Sequence, residues 1–192
     1  MADVTLRNWL KAQEKSDVPA PSFLDAEDGM VSWRKPAVGH LKINVDASIF
    51  RESSSFCFAG LARDHEGGLI EAFFRCRMGD VLPEVAEAMG VREALSWLKQ
   101  RSWTHVIIEI DSLLVVQAIR SSISMVSYFG NIVDECKSLL KECQNVSVLF
   151  IKRSANRAAH ALARASPIVA DCMMFKEDIA SSVMDVLVQD VC

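Results

Sequence analysis

The sequence predicts an α/β fold, a five-stranded mixed sheet with helices on both faces in the order βββαβα(α)βα. Three observations carry that prediction. Between residues 41 and 78, three apolar runs follow one another across short turn-forming segments, which is the pattern of an antiparallel meander. After Pro83 the pattern changes to alternating helix-like and strand-like segments, and such alternation builds parallel strands with helices between them. The chain has 192 residues, 51% of them apolar and 24% charged, which suits one globular domain with spare length at its ends.

In the first strand, residues 41–50 (LKINVDASIF), Leu41, Ile43 and Val45 alternate with Lys42 and Asn44. Residues 55–63 (SFCFAGLAR) form the second strand and residues 69–78 (LIEAFFRCRM) the third. Asp64-His65-Glu66-Gly67-Gly68 between them is a tight turn, with glycines for the positive φ such turns demand. Pro83 suits the first turn of a helix that runs to about Gln100. Residues 105–110 (HVIIEI) read as a buried strand. Asp111-Ser112 offers N-cap chemistry to a helix from Leu113 to about Ser121. A further helix spans roughly Tyr128 to Glu142, residues 146–151 (VSVLFI) are the last strand, and Asn156 to Ala165 the last core helix. No internal repeat is visible.

The domain is expected over residues 36–166. Residues 1–35 are an extension, with one or two helical turns within Val4–Lys15 and a linker by composition at Ser16–Ser22. Residues 167–192 form an acidic tail in which Ile179, Val183, Val186 and Leu187 alternate with polar residues. It reads either as a helix that docks on the core or a partner, or as a disordered segment. The net charge of −4 resides mostly in that tail, while acid and base nearly balance over residues 41–166. Whole-chain acidity therefore does not exclude a nucleic-acid partner.

No stretch approaches the ~18 apolar residues of a membrane helix. The start lacks a basic segment followed by an apolar run, so the expectation is an intracellular protein of nucleus or cytoplasm, not a secreted one. The six cysteines contain no CxxC pair. They read as reduced, partly buried thiols, not as a disulfide framework or a zinc site.

Three carboxylates stand out. Asp46 follows the apolar alternation of the first strand, and Asp111 sits where a buried strand hands over to a helix. Taken singly, Asp46 also reads as a solvent-facing strand residue and Asp111 as an N-cap. Glu87 is more informative, because Val91, Ala94 and Leu98 project within about 40° of it on the helix circumference. A carboxylate heading an apolar stripe costs several kcal/mol unless something compensates it. Glu84, about 60° away, reads as a solvated first-turn acid. If the first and fourth strands are neighbours, Asp46, Glu87 and Asp111 converge. Three such groups repel unless divalent cations neutralise them. Oxygen ligands without a His/Cys cluster favour Mg²⁺ or Mn²⁺, and two ions ~4 Å apart would support in-line displacement at phosphorus by water.

The segment from Lys152 to Arg164 is the second signal. It holds Lys152, Arg153, Arg157, Arg164 and His160 and no acid, with Asn156 as an N-cap. It reads as a phosphate-holding surface beside the carboxylates or as a cationic, solvated helix face. Trp97, Trp103, Phe73 and Phe74 read as core.

The run Trp33-Arg34-Lys35-Pro36, continued by Gly39 through Ser48, resembles the opening of the RNase H-like domain of plant reverse-transcriptase-derived proteins. Gly60–Asp64 with Gly67-Gly68 is similar to its second strand and turn. Ala86-Glu87-Ala88 with Arg92–Leu95 resembles its first helix, and Ile108–Ser112 with Val115-Val116 its fourth strand and second helix. Asn156–Ala163 resembles its terminal motif. The resemblance covers about residues 33–166. It implies the type 1 RNase H fold, two Mg²⁺ ions with Mn²⁺ as an alternative, and hydrolysis of the RNA strand of an RNA–DNA hybrid, discriminated through 2′-hydroxyl contacts. It places Asp46, Glu87 and Asp111 on the family's catalytic, metal-binding acids. His160 falls in the fourth catalytic slot, where RNase H enzymes usually carry Asp and many plant relatives carry His. Ser48, Ser112, Arg153, Asn156 and Arg157 are the expected nucleic-acid contacts.

Residues 120–145 hold Arg120, Lys137 and Lys141 against Asp134, Glu135 and Glu142, so no strongly basic handle is expected there. Two rival readings follow. One is a catalytically weak or inactive nucleic-acid-binding or scaffold module on the same fold. The other is a doubly wound signalling domain phosphorylated on Asp46 or Asp111, which the early meander contradicts.

Overall fold

The computed structural model describes residues 28–165, 172–174 and 181–191. The elements are β1 (Leu41–Phe50), β2 (Ser55–Arg63), β3 (Leu69–Met78), α1 (Pro83–Arg101), β4 (Val106–Ile110), α2 (Leu113–Arg120), α3 (Tyr128–Glu142), β5 (Val146–Phe150), α4 (Arg157–Ala163), β6 (Cys172–Met174) and α5 (Ser181–Val191). The sheet order is β5-β4-β1-β2-β3-β6. β1, β2 and β3 pair antiparallel, and β1, β4 and β5 pair parallel. The predicted five-stranded mixed sheet is present. β6 is an addition, three residues paired antiparallel to β3, too short to leave an alternating pattern in the sequence.

Alternation decides the layers. Ile43, Val45, Phe56, Phe58, Phe73, Ile108 and Ile110 face α1, α2 and α3 and form the larger core. Gly90 lets α1 approach the sheet closely: a Cβ there would lie 2.9 Å from Val45 Cγ1 and 3.3 Å from Phe58 Cβ. Phe73, Trp97 and Trp103 pack edge to face within that core. The opposite face, with Cys57, Ala59, Leu61, Ala72 and Phe74, is covered by α4 and α5. β2 is therefore buried along its whole length. The described parts of the acidic tail are the strand β6 and the helix α5, which docks on the core through Val183 and Leu187.

The β2–β3 turn is held by Asp64, whose Oδ1 accepts from the backbone N–H groups of Glu66 (2.9 Å) and Gly68 (2.8 Å), while Gly67 takes φ +87°. The expected helical turns in Val4–Lys15 and the linker Ser16–Ser22 lie outside the described residues. Residues 28–35, assigned by sequence to the extension, engage the sheet. Gly29 N–H donates to the Phe150 carbonyl at 2.7 Å, Met30 bridges Ile151, and Trp33 is buried with the Arg63 guanidinium 3.4 Å from its ring centroid.

Three local expectations are corrected. Cys57 and Cys76 are not reduced thiols but a disulfide. They are direct register partners on β2 and β3, a fact that depends on strand pairing and not on Cys spacing. Ser112 and Asn156 occupy N-cap positions, yet neither side chain makes a cap hydrogen bond. α4 is shorter than expected, ending at Ala163, and a 3₁₀ turn over residues 153–155 precedes it. Among the described residues, no helix is long and apolar enough to cross a membrane.

Candidate metal centre

Parallel pairing of β1 with β4 places Val45 opposite Ile110. The next residue on each strand is an acid, so Asp46 and Asp111 emerge side by side. α1, seated on β1 through Gly90, brings Glu87 to the same point. Asp46, Glu87 and Asp111 each offer a carboxylate oxygen within 4.8 Å of the others.

Cationic and amide groups from the β5–α4 segment close the site. His160 Nδ1 lies 2.7 Å from Asp46 Oδ2. Arg153 donates from Nη1 to Asp111 Oδ2 at 2.9 Å, stands 3.8 Å from Asp46 Oδ1, and places Nη2 2.6 Å from His160 Nδ1. One ring nitrogen carries either a proton or a lone pair, so Nδ1 donates to Asp46 or accepts from Arg153, but not both. Asn156 Nδ2 donates to the Val45 carbonyl (2.8 Å) and to Asp111 Oδ1 (3.3 Å).

Crowding and burial shift the acids. The Asp46 carboxyl is raised from 3.8 to about 6, chiefly by burial and then by the neighbouring Asp111 charge, while the His160 hydrogen bond and Arg153 oppose the rise. Glu87 is pushed well above the ordinary carboxylate range by burial, then by Asp46 and Asp111. Among the described residues, Asp46 Oδ1 and Glu87 Oε2 are buried without a hydrogen-bond partner. Acceptor-only oxygens left unpartnered beside a third carboxylate fit a hard divalent cation, since such a cation supplies the missing charge and the missing contacts together. Asp46, Glu87 and Asp111 are residues able to hold such a cation.

The reverse transcriptase-like family model matches residues 44–166, a span that contains all of these groups. The chain belongs to the reverse transcriptase-like family. An Arabidopsis thaliana protein with a provisional ribonuclease H name is 28% identical over 134 residues, 70% of this chain and 22% of that protein. The chain thus spans about a fifth of the length of this relative. RNase H1 of the archaeon Halobacterium salinarum superposes with a TM-score of 0.58 at 16% identity, over 64% of this chain and 93% of that one. The N-terminal RNase H domain of a Mycobacterium tuberculosis protein gives 0.56 at 16%, over 81% and 100%. LC11-RNase H1 from compost, solved with an RNA/DNA hybrid, gives 0.56 at 17%, over 64% and 92%. These superpositions establish a shared fold: the reverse transcriptase-like domain is RNase H-like in architecture.

The remaining expected contacts of the reverse transcriptase-like domain divide by exposure. Arg153 is 58% exposed in its side chain and faces the carboxylates. Arg157 is exposed on α4 and donates to Gln189 of α5 at 2.8 Å. Ser112 is half-buried at the start of α2. Asn156 and Ser48 lie deeper. Asn156 is 1% exposed and its amide donates to Asp111 inside the protein. Ser48 is also buried. The sequence reading missed the polar layer behind Asn156, formed by Asn44, Arg63, Lys42, Glu109 and Asp190. Its one sequence signal was the string of polar residues on a strand otherwise bound for the core.

Proposed function

We propose that the chain is a metal-dependent endoribonuclease that hydrolyses the RNA strand of RNA–DNA hybrids. The observation that carries this reading is the convergence of Asp46, Glu87 and Asp111 with two buried carboxylate oxygens left unpartnered. We assign the catalytic domain to residues 36–166, preceded by an extension (1–35) and followed by an acidic tail (167–192). Divalent cations bound there, two Mg²⁺ or Mn²⁺ in our reading, supply Lewis-acid stabilisation of the charge that builds at a phosphate during hydrolysis. Asp46 lies between Glu87, Asp111 and His160 and holds the centre of the site. Asn156 fixes Asp111 by its amide hydrogen bond. Arg153 donates toward the carboxylates and, being exposed, is placed to receive a phosphate oxygen. Arg157 extends the basic surface along α4. The RNA/DNA hybrid bound by LC11-RNase H1 is the substrate class we carry over.

One observation favours a second reading, a nucleic-acid-binding module with weak or no catalysis. His160 and Arg153 already partner Asp46 and Asp111, and such partners compete with a metal for the same oxygens. Cleavage of a labelled RNA–DNA hybrid in Mg²⁺ and in Mn²⁺ separates the two. The enzyme reading expects metal-dependent cleavage by the wild type and a loss of at least about a hundredfold in Asp46→Asn. Hybrid binding without cleavage in either metal would establish the module reading.

A further inference from the structure

Asp190 sits on the face of α5 that docks against the core. Val183, Leu187 and Asp190 project within about 60° of one another on the helix circumference, and Val183 and Leu187 are buried. An acid in a docking stripe is costly unless a cation meets it. That cation is Arg63, itself fully buried, whose Nη1 lies 3.0 Å from Asp190 Oδ2.

The pair is the outer end of a directed hydrogen-bond chain. Arg63 Nη2 donates to Asn44 Oδ1 at 2.7 Å. Asn44 Nδ2 donates to Asn156 Oδ1 at 3.2 Å and to Glu109 Oε2 at 3.0 Å. Asn156 Nδ2 donates to the Val45 carbonyl and to Asp111 Oδ1. Arginine offers donors only, so the Asn44 carbonyl must face it and the Asn44 amino group must face Asn156. A carboxylate and a backbone carbonyl only accept, which forces the same orientation on Asn156 from the other end. Both ends of the chain therefore agree on how each amide is turned.

Charge adds to the case. Lys42 pairs with Glu109 at 2.6 Å beside the Arg63–Asp190 pair, so two cations meet two anions in this layer. Without Asp190 the excess is positive, and Glu109 becomes the acid to which Arg63 would turn, drawing its guanidinium away from the Asn44 carbonyl.

We propose that Asp190 is a positioning residue of the metal centre, acting through Arg63, Asn44 and Asn156 to fix the direction in which Asp111 presents its carboxylate. The proposal rests on the metal reading given above. It makes the C-terminal helix part of the site's support.

The test is Mn²⁺ binding to the full chain, followed by electron paramagnetic resonance well below the melting temperature of each variant. Asp190→Asn should raise the Mn²⁺ dissociation constant roughly tenfold, the low end for residues that support a metal ligand. Asp190→Glu keeps the carboxylate and should stay near wild type. Asp185→Asn, which removes an exposed charge from the same helix, should not change binding. A second variant, Asn44→Ser, leaves the Arg63–Asp190 pair in place but is too short to reach Asn156, and should show the same rise. It decides the matter if Asp190→Asn does not fold. Melting that falls in Asp190→Asn with an unchanged dissociation constant would reduce Asp190 to a structural ion pair and overturn the relay. An unchanged constant in Asn44→Ser would do the same. A wild type that binds no Mn²⁺ would instead overturn the metal reading itself.

Discussion

Asp46 concentrates the electrostatic tension of the site, because it is fully buried, lies against two other acids, and keeps one oxygen unpartnered. Its carboxyl titrates at about 6 when folded, against an ordinary value of 3.8. The folded state therefore holds the proton more tightly than the unfolded chain does. Its contribution to stability is fully present below pH ~4 and is lost as pH rises through about 6. Glu87, also raised, acts in the same direction. In metal-free buffer the protein should melt at a higher temperature at pH 5 than at pH 8, with the Asp46 part of the difference on the order of 1 kcal/mol. Mg²⁺ at pH 8 should recover much of the difference, and Asp46→Asn should flatten the profile. Thermal melts in chelator across that range check this, and a wild-type curve that rises toward pH 8 would contradict it. His160 gives a second expectation at this scale. It contacts Asp46 where an additional carboxylate would add a hard ligand and a negative charge. His160→Asp should raise Mg²⁺-supported cleavage by about tenfold, more than it raises the Mn²⁺ rate, because imidazole suits Mn²⁺ better than Mg²⁺. Steady-state cleavage by both proteins in both metals is the measurement, with equal Mg²⁺ rates as the result that removes position 160 from the site.

At the scale of elements, the seat of α1 decides where Glu87 points. Gly90→Ala would gain helix propensity but drive a methyl into Val45, a stiff β-branched side chain buried in the core. A net destabilisation of about 1–2 kcal/mol is expected, with weaker metal binding because Glu87 lies one turn away. Urea denaturation and a metal titration of the variant check both parts. The same seat explains why α1 was legible in the sequence: Glu87 stood on a stripe with Val91, Ala94 and Leu98, where an acid has no business without a partner. β1, β2 and β3 were legible with the bounds they have, since apolar runs end at turn-forming segments that cannot continue a strand. The N-cap position of α4 at Asn156 was legible too, but what its side chain does there was not. Asn156 resembles a cap in sequence, but its amide is drawn to Val45 and Asp111, partners that only the folded sheet brings near. The Cys57–Cys76 bond was hidden for a related reason, since the residue opposite a cysteine is fixed by register. Asp190 could have been read by the logic applied to Glu87, because it too shares a stripe with apolar residues. The short tail pattern left its helical phase open, so the stripe was not drawn.

For the molecule as a whole, the two faces of the sheet have different duties. One packs α1, α2 and α3 in a conventional apolar core, and the other carries the polar layer that runs from α5 to the carboxylates. The tail's acidity is in part spent internally on Arg63. The short pairings at the two margins of the sheet have a consequence for solubility. Met30 bridges Ile151 beside β5, and β6 covers Ala72, Phe73 and Phe74 at the middle of β3. An uncovered β3 would offer ten residues of edge backbone, flanked by the exposed side chains of Ile70 and Met78, as a template for another chain. Met173→Pro, which removes a backbone donor from β6, should convert a monodisperse protein into one whose light scattering grows with concentration. Three residues of backbone at one margin would then stand between this protein and self-assembly.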